Sequence, residues 1–241
     1  MERSPRRSIE TASDRSSEIY APRGKSAATL VRISPTGLRM RRDPRIFPTF
    51  DDGPHPLWTP KILSELRRAD AKATFFAVAP LALRYPEITR RIMDDGHEIA
   101  FHCTRHIRHT EMTEEEVEED VETGLRSLRK VGASPRMWRP PWGMLAPWSE
   151  RVADDFGLEI SLWDSDTHDW RGDSAEAMLG AVAPSLSAGD TVLMHDGLGP
   201  GATRDGCEET VRLVAPLAAR MRDIGCEPDS LAVKEHRGAR A

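Results

Sequence analysis

Two adjacent carboxylates, Asp51 and Asp52, fall where a short apolar run, 46–50, gives way to a Gly53-Pro54 turn. Adjacent side chains diverge, so one carboxylate can ligate a metal while its unbound neighbour acts as a general base on water. The competing reading is an Asp-Gly turn with both carboxylates in solvent, because such turns are common. Further along, His102 and His106 stand four residues apart. On a helical turn that spacing puts both rings on one face, within reach of a single ion at about 2.0–2.1 Å. Neutral imidazole suits zinc and its first-row neighbours, whereas two ordinary surface histidines are the plainer alternative. With Asp52 they would make a two-histidine, one-carboxylate set, and three protein ligands leave a position open for substrate, as in catalytic zinc sites.

These residues need a scaffold that brings them to one place. From Ile46 onward, short apolar runs alternate with amphipathic stretches, the pattern that βα units leave in a sequence. Strands are expected at 46–50, 73–78, 98–101, 137–139, 159–163, 191–194 and 230–233. Thr59 before Pro60 reads as a helix N-cap, and Thr113 with Glu116 as a capping box ahead of Val117, Val121, Leu125 and Leu128. Gly132 and Gly225 sit where helix stops belong. Seven successive units predict a single α/β domain, a distorted (β/α)7 barrel of TIM-barrel type, with its chemistry at the C-terminal strand ends. Asp51, Asp52 and His102 all fall at such ends.

Five motifs now stand in order, and together they resemble the polysaccharide deacetylases of the NodB-homology type, carbohydrate esterase family 4. Thr49 to Pro54 reads TFDDGP, and the resemblance makes Asp51 the general base and Asp52 a metal ligand. His102-Cys103-Thr104-Arg105-His106 resembles H-[ST]-x-x-H and implies both histidines as ligands, with Cys103 in place of Ser or Thr and Phe101 where Asn is frequent. Arg139 to Gly143 resembles R-P-P-[YF]-G, implying that Arg139 orients the base and that Trp142, replacing Tyr or Phe, offers its backbone N–H to the oxyanion. Asp166 to Trp170 matches D-x-x-D-W, so that Asp169 tunes the acid and Trp170 walls the site. Leu193-Met194-His195 matches L-x-H, which makes His195 the general acid and assigns Leu193 to the substrate pocket. The resemblance spans residues 46–233. It implies hydrolysis of the N-acetyl group of an amino sugar, N-acetylglucosamine in a glycan first, by one divalent metal: zinc first, with cobalt, nickel, iron or manganese as alternatives. A small-molecule amide hydrolase on the same scaffold and an inactive carbohydrate-binding protein are the rival readings.

Composition narrows the remaining classes. With 34 Lys and Arg against 39 Asp and Glu, the net charge of −5 lacks the basic excess of a nucleic-acid binder. The charge is segregated: residues 1–45 carry a net +6 and the rest −11. A disordered basic extension is therefore expected over 1–45, with room for one strand or short helix at 27–33, then the catalytic domain over 46–235 and a tail at 236–241. No apolar run approaches the roughly 18 residues of a membrane helix, and residues 1–23 hold no secretory apolar core, so the chain as given is expected in the cytoplasm. Cys103, Cys207 and Cys226 form neither a zinc pattern nor a disulfide ladder, and Cys103 reads as an inert thiol. His97, His109 and His168 match no ligand position; His109 is a candidate contact at the site rim, and His55 at its mouth. The acidic run Glu114 to Asp120 reads as a helix start and a solvated face.

Overall fold

The computed structural model describes residues 44–232. The extension expected over 1–45, save its last two residues, the optional element at 27–33 and the tail at 236–241 lie outside them. In chain order the elements are β1 (Arg45–Asp51), α1 (Trp58–Arg68), β2 (Thr74–Val78), α2 (Ala79–Arg84), α3 (Pro86–Asp94), β3 (Glu98–Cys103), α4 (Glu114–Lys130) and β4 (Met137–Trp138). There follow α5 (Ser149–Asp155), β5 (Glu159–Ile160), β6 (Ser165–Asp166), α6 (Ala175–Val182), β7 (Thr191–His195), α7 (Glu208–Asp223) and β8 (Glu227–Pro228). The strands pair in parallel in the order β5-β4-β3-β2-β1-β7-β6, with β8 beside the start of β1. This is the expected distorted barrel.

Strand periodicity explains how the barrel presents polar groups. Successive side chains alternate between faces, so Ile46, Phe50, Phe75, Phe101 and Met194 pack against the apolar stripes of the helices. Phe47, Phe76, Ala100 and Met137, with Leu231, form a separate cluster on the inner face. Two and four residues along from Phe47, and two along from Ala100, the same inner face carries Thr49, Asp51 and His102. The helix signals hold in part. Thr113 Oγ1 accepts from the Glu116 N–H at 3.2 Å while the Glu116 carboxylate accepts from the Thr113 N–H at 2.8 Å, the expected capping box. Gly132 and Gly225 follow α4 and α7 with φ of +90° and +77°, which glycine adopts without the usual steric cost. Thr59 is not an N-cap. It lies inside α1, its hydroxyl accepting from the His55 N–H and donating to Asp196, while the His55 ring accepts from the N–H groups of Leu57 and Trp58 at the helix start.

Two strand expectations need correction. The run 159–163 is a strand only over Glu159–Ile160 (β5); the chain leaves the sheet there and rejoins it at the opposite edge as β6, Ser165–Asp166. Ser161 N–H donates to Trp138 O on one side, and Asp164 N–H donates to Thr191 O on the other, so 161–164 crosses the seam where the barrel fails to close. The last strand is Glu227–Pro228, not 230–233; it pairs with Arg45 and Ile46, and Leu231 N–H instead donates to the Thr74 hydroxyl. Val233 lies outside the described residues.

Candidate active site

The C-terminal ends of β1, β3, β4 and β7 and the turn after β6 converge on one point. Asp52 follows β1 with φ of +71°, a left-handed conformation that Asp tolerates better than most residues. The glycines of the β7–α7 loop make room for it. A Cβ on Gly197 would lie 2.2 Å from the Asp52 carbonyl oxygen, and one on Gly199 2.1 Å from its carboxylate.

Asp52 Oδ1 lies 3.3 Å from His102 Nε2 and 3.0 Å from His106 Nε2, and the two imidazole nitrogens are 3.2 Å apart. Three ligand atoms about a first-row cation at 2.0–2.1 Å would stand roughly 3 Å from one another, so the triangle fits such an ion. The donor set agrees, because the buried Asp52 Oδ1 is near both rings yet makes no hydrogen bond in proper geometry. His102 Nδ1–H donates to the Arg139 carbonyl at 2.6 Å, which fixes the tautomer and turns the Nε2 lone pair towards the triangle. Burial disfavours a charged His102, but Asp52 and Asp51 outweigh it and raise its pKa. Burial likewise pushes Asp52 up, and the two imidazoles hold it well below the usual carboxylate range. A site that draws a proton in this way draws a cation.

His102 and His106 meet for a reason other than the helical turn expected from their spacing. His102 and Cys103 belong to β3, and the chain then bends. Asp120 on α4 holds that bend, its carboxylate accepting from Thr104 N–H at 2.8 Å and Arg105 N–H at 2.7 Å. Asp120 is therefore buried and not part of a solvated face. Its position three residues after Val117 and four before Gly124, both on the apolar side of α4, was the available signal.

On the base side, Asp51 Oδ1 accepts from Arg139 Nη1 at 2.7 Å. Arg139 is fully buried and donates also to the Thr49 hydroxyl and to the carbonyls of Ser161 and Leu162, with its guanidinium 3.9 Å from the Phe76 ring centre. On the acid side, His195 Nδ1 lies 2.7 Å from Asp169 Oδ1, and its backbone N–H donates to Oδ2 at 2.9 Å. Burial favours a neutral His195, but the Asp169 charge and hydrogen bond raise it to about 9. Burial pushes Asp169 up, yet His195, Arg204 and Thr210 hold it at about 2.

The sequence reading passed over Arg204. Its side chain is 4% exposed and donates to Asp169 Oδ2 at 2.8 Å and to the carbonyls of His195 and Gly197. It also missed Asp196, which burial and the nearby Asp52 and Asp51 charges push up to about 7.

A cavity of about 150 Å³ opens beside Asp52 and His195, walled by Trp142, Trp170 and the Gly197–Arg204 loop. The Trp142 backbone is left-handed at φ +54°, and no group among the described residues accepts its N–H. Leu193 lies buried on the inner face of β7 and is not among the cavity's lining residues. His109 is not at the rim: it bonds Ser149 and packs against Trp138 and Trp148. Cys103 is a buried free thiol whose pKa burial raises further.

The family model described as polysaccharide deacetylase matches residues 39–161. A peptidoglycan-N-acetylglucosamine deacetylase of Bacillus cereus is 34% identical over 179 residues, covering 73% of this chain and 81% of that protein. A chitooligosaccharide deacetylase of Bradyrhizobium is 33% identical over 192 residues, with 76% and 86% covered. The crystal structure of the Bc1960 peptidoglycan N-acetylglucosamine deacetylase superposes with a TM-score of 0.73 at 28% identity, covering 78% of this chain and 86% of that one. The chain belongs to the polysaccharide deacetylase family.

Proposed function

We propose that this chain hydrolyses the N-acetyl group of an amino sugar, with N-acetylglucosamine in a glycan as substrate, and releases acetate. The observation that carries the reading is the convergence of three parts at one end of the sheet: the Asp52, His102 and His106 triangle, the Asp51–Arg139 pair and the His195–Asp169 pair, with Asp52 and His195 lining the cavity. The named substrates of the relatives, peptidoglycan N-acetylglucosamine and chitooligosaccharides, support it.

A divalent ion held by Asp52, His102 and His106, zinc in our reading, supplies Lewis acidity to the amide carbonyl and to the attacking water. Asp51, oriented by Arg139, takes the proton from that water. The unpaired Trp142 N–H donates to the developing oxyanion, and Trp170 walls the acyl side of the cavity. His195, charged and held by Asp169, delivers the proton that lets the amine leave. Asp51 thus gains one proton as His195 gives one up, and exchange with water resets both.

Stripping the metal is expected to lower acetate release from N-acetylglucosamine oligomers at least about 100-fold, since this stabilisation amounts to several kcal/mol. Zinc or cobalt should restore it, with nickel, iron and manganese compared alongside. Monomeric N-acetyl sugars assayed in parallel decide between polymer and small molecule. Absence of release from every substrate by metal-loaded protein would overturn the assignment.

The acid pair makes a separate prediction. His195 at about 9 and Asp169 at about 2 are both charged between those limits, and the acid is lost as pH rises through about 9. In Asp169→Asn the leading charge that raises His195 is gone, while its burial remains. Its imidazole, followed by NMR in metal-free protein, should then titrate closer to 6.5, and the alkaline limb of activity should move to lower pH. An unmoved His195 titration would show that Asp169 does not tune the acid.

A further inference from the structure

The two histidines of the triangle are held differently. His102 has the outer hydrogen bond that metal-binding histidines almost always make, from Nδ1 to a backbone carbonyl. His106 does not: its Nδ1 is buried without a hydrogen-bond partner. What its ring meets instead is the indole of Trp142, with centres 4.3 Å apart and planes at 80°, an edge-to-face contact.

The indole is itself fixed. The Arg108 guanidinium lies over it, 4.4 Å from the ring centre, and is steadied by Glu111 at 3.2 Å. The backbone beside it is closely packed: a Cβ at the next residue, Gly143, would lie 2.8 Å from the Trp163 ring. Arg108 and His106 come from one loop, two residues apart, so a cation and an imidazole grip the same indole. Arg108 does not line the cavity.

We propose that the Trp142 ring, held by Arg108, is a positioning element for His106, taking the place of the outer hydrogen bond that His102 has. Loss of an outer partner typically weakens metal binding 10- to 100-fold. A ring contact is less directional than a hydrogen bond, so the effect belongs at the low end. The inference rests on the reading that Asp52, His102 and His106 hold a metal.

The test is metal affinity without substrate, by competition of zinc and cobalt against a chromophoric chelator, together with the visible spectrum of the cobalt form. Trp142→Leu should weaken binding about tenfold and alter the cobalt spectrum, and Trp142→Phe should recover most of both. Arg108→Gln should weaken binding roughly two- to fivefold, with Arg108→Lys nearer to wild type. Arg108 is partly exposed, so if Trp142→Leu folds poorly, wild-type affinity and spectrum in Arg108→Gln would by themselves overturn the proposal. Wild-type affinity and spectrum in both Trp142→Leu and Arg108→Gln would overturn the proposal. Weakening in Trp142→Leu alone would remove the arginine's part. Failure of the wild type to bind either metal would instead overturn the metal reading beneath it.

Discussion

Asp51→Asn should lower kcat/KM for acetate release by about 10³-fold while leaving metal affinity unchanged. General base catalysis contributes typically 10²–10⁴-fold, and asparagine preserves shape and one acceptor while losing the ability to take a proton. The two neighbouring carboxylates are separable because they face different partners. Asp51 turns to Arg139 at 2.7 Å, whereas Asp52 turns to the two imidazoles. Asp52→Asn should instead release the metal, and lose activity with it. Kinetics and metal titration on the two variants, each confirmed as folded, read this directly. Metal loss in Asp51→Asn would make Asp51 a ligand. Full activity would move the base elsewhere, and Asp196, a third buried carboxylate raised to about 7, is then the next to substitute.

How much of this site was legible depends on how local its causes are. Asp51 and Asp52 were legible because one strand and one turn place them, and β1 ends where its apolar run ends. His102 and His106 were identified on a spacing argument that named the wrong local structure: a bend tied by Asp120 on α4 joins them, not a helical turn. That tie spans 15 or 16 residues between elements, so no periodicity within either one displays it. Arg204 was passed over for the same reason. It lies in a glycine-rich loop that reads as a connection, and its role comes from Asp169, 35 residues earlier. The seam at 161–164 was hidden differently. Its residues bond to β4 at one end and to β7 at the other, and a strand shared between two edges looks like one strand in a sequence.

Arg139→Leu should destabilise the fold by about 3–5 kcal/mol, a large part of the roughly 5–15 kcal/mol of a typical domain. The guanidinium is wholly buried, which costs free energy and pulls its own pKa down, with Asp51 acting against that shift. Leucine would leave the Asp51 carboxylate without its ion pair and the Ser161 and Leu162 carbonyls without their donors. Lysine keeps the charge but not the fork, so Arg139→Lys should fall between wild type and leucine. The loss should also have a place. Arg139 follows β4 and binds the crossing segment and β1 at once, so it spans the gap that strand pairing leaves open. Denaturant unfolding measures the total, and amide exchange locates it. The Ser161 and Asp164 amides should exchange faster in Arg139→Leu than in wild type, while those between β1 and β2 keep more of their protection. An Asp51→Asn, Arg139→Leu double variant should lose less than the two single losses together, because no unpaired charge remains. Equal acceleration across the sheet would mean that Arg139 serves global stability and does not close the seam. In the local case, the residue that orients the base is also the one that completes the barrel around it.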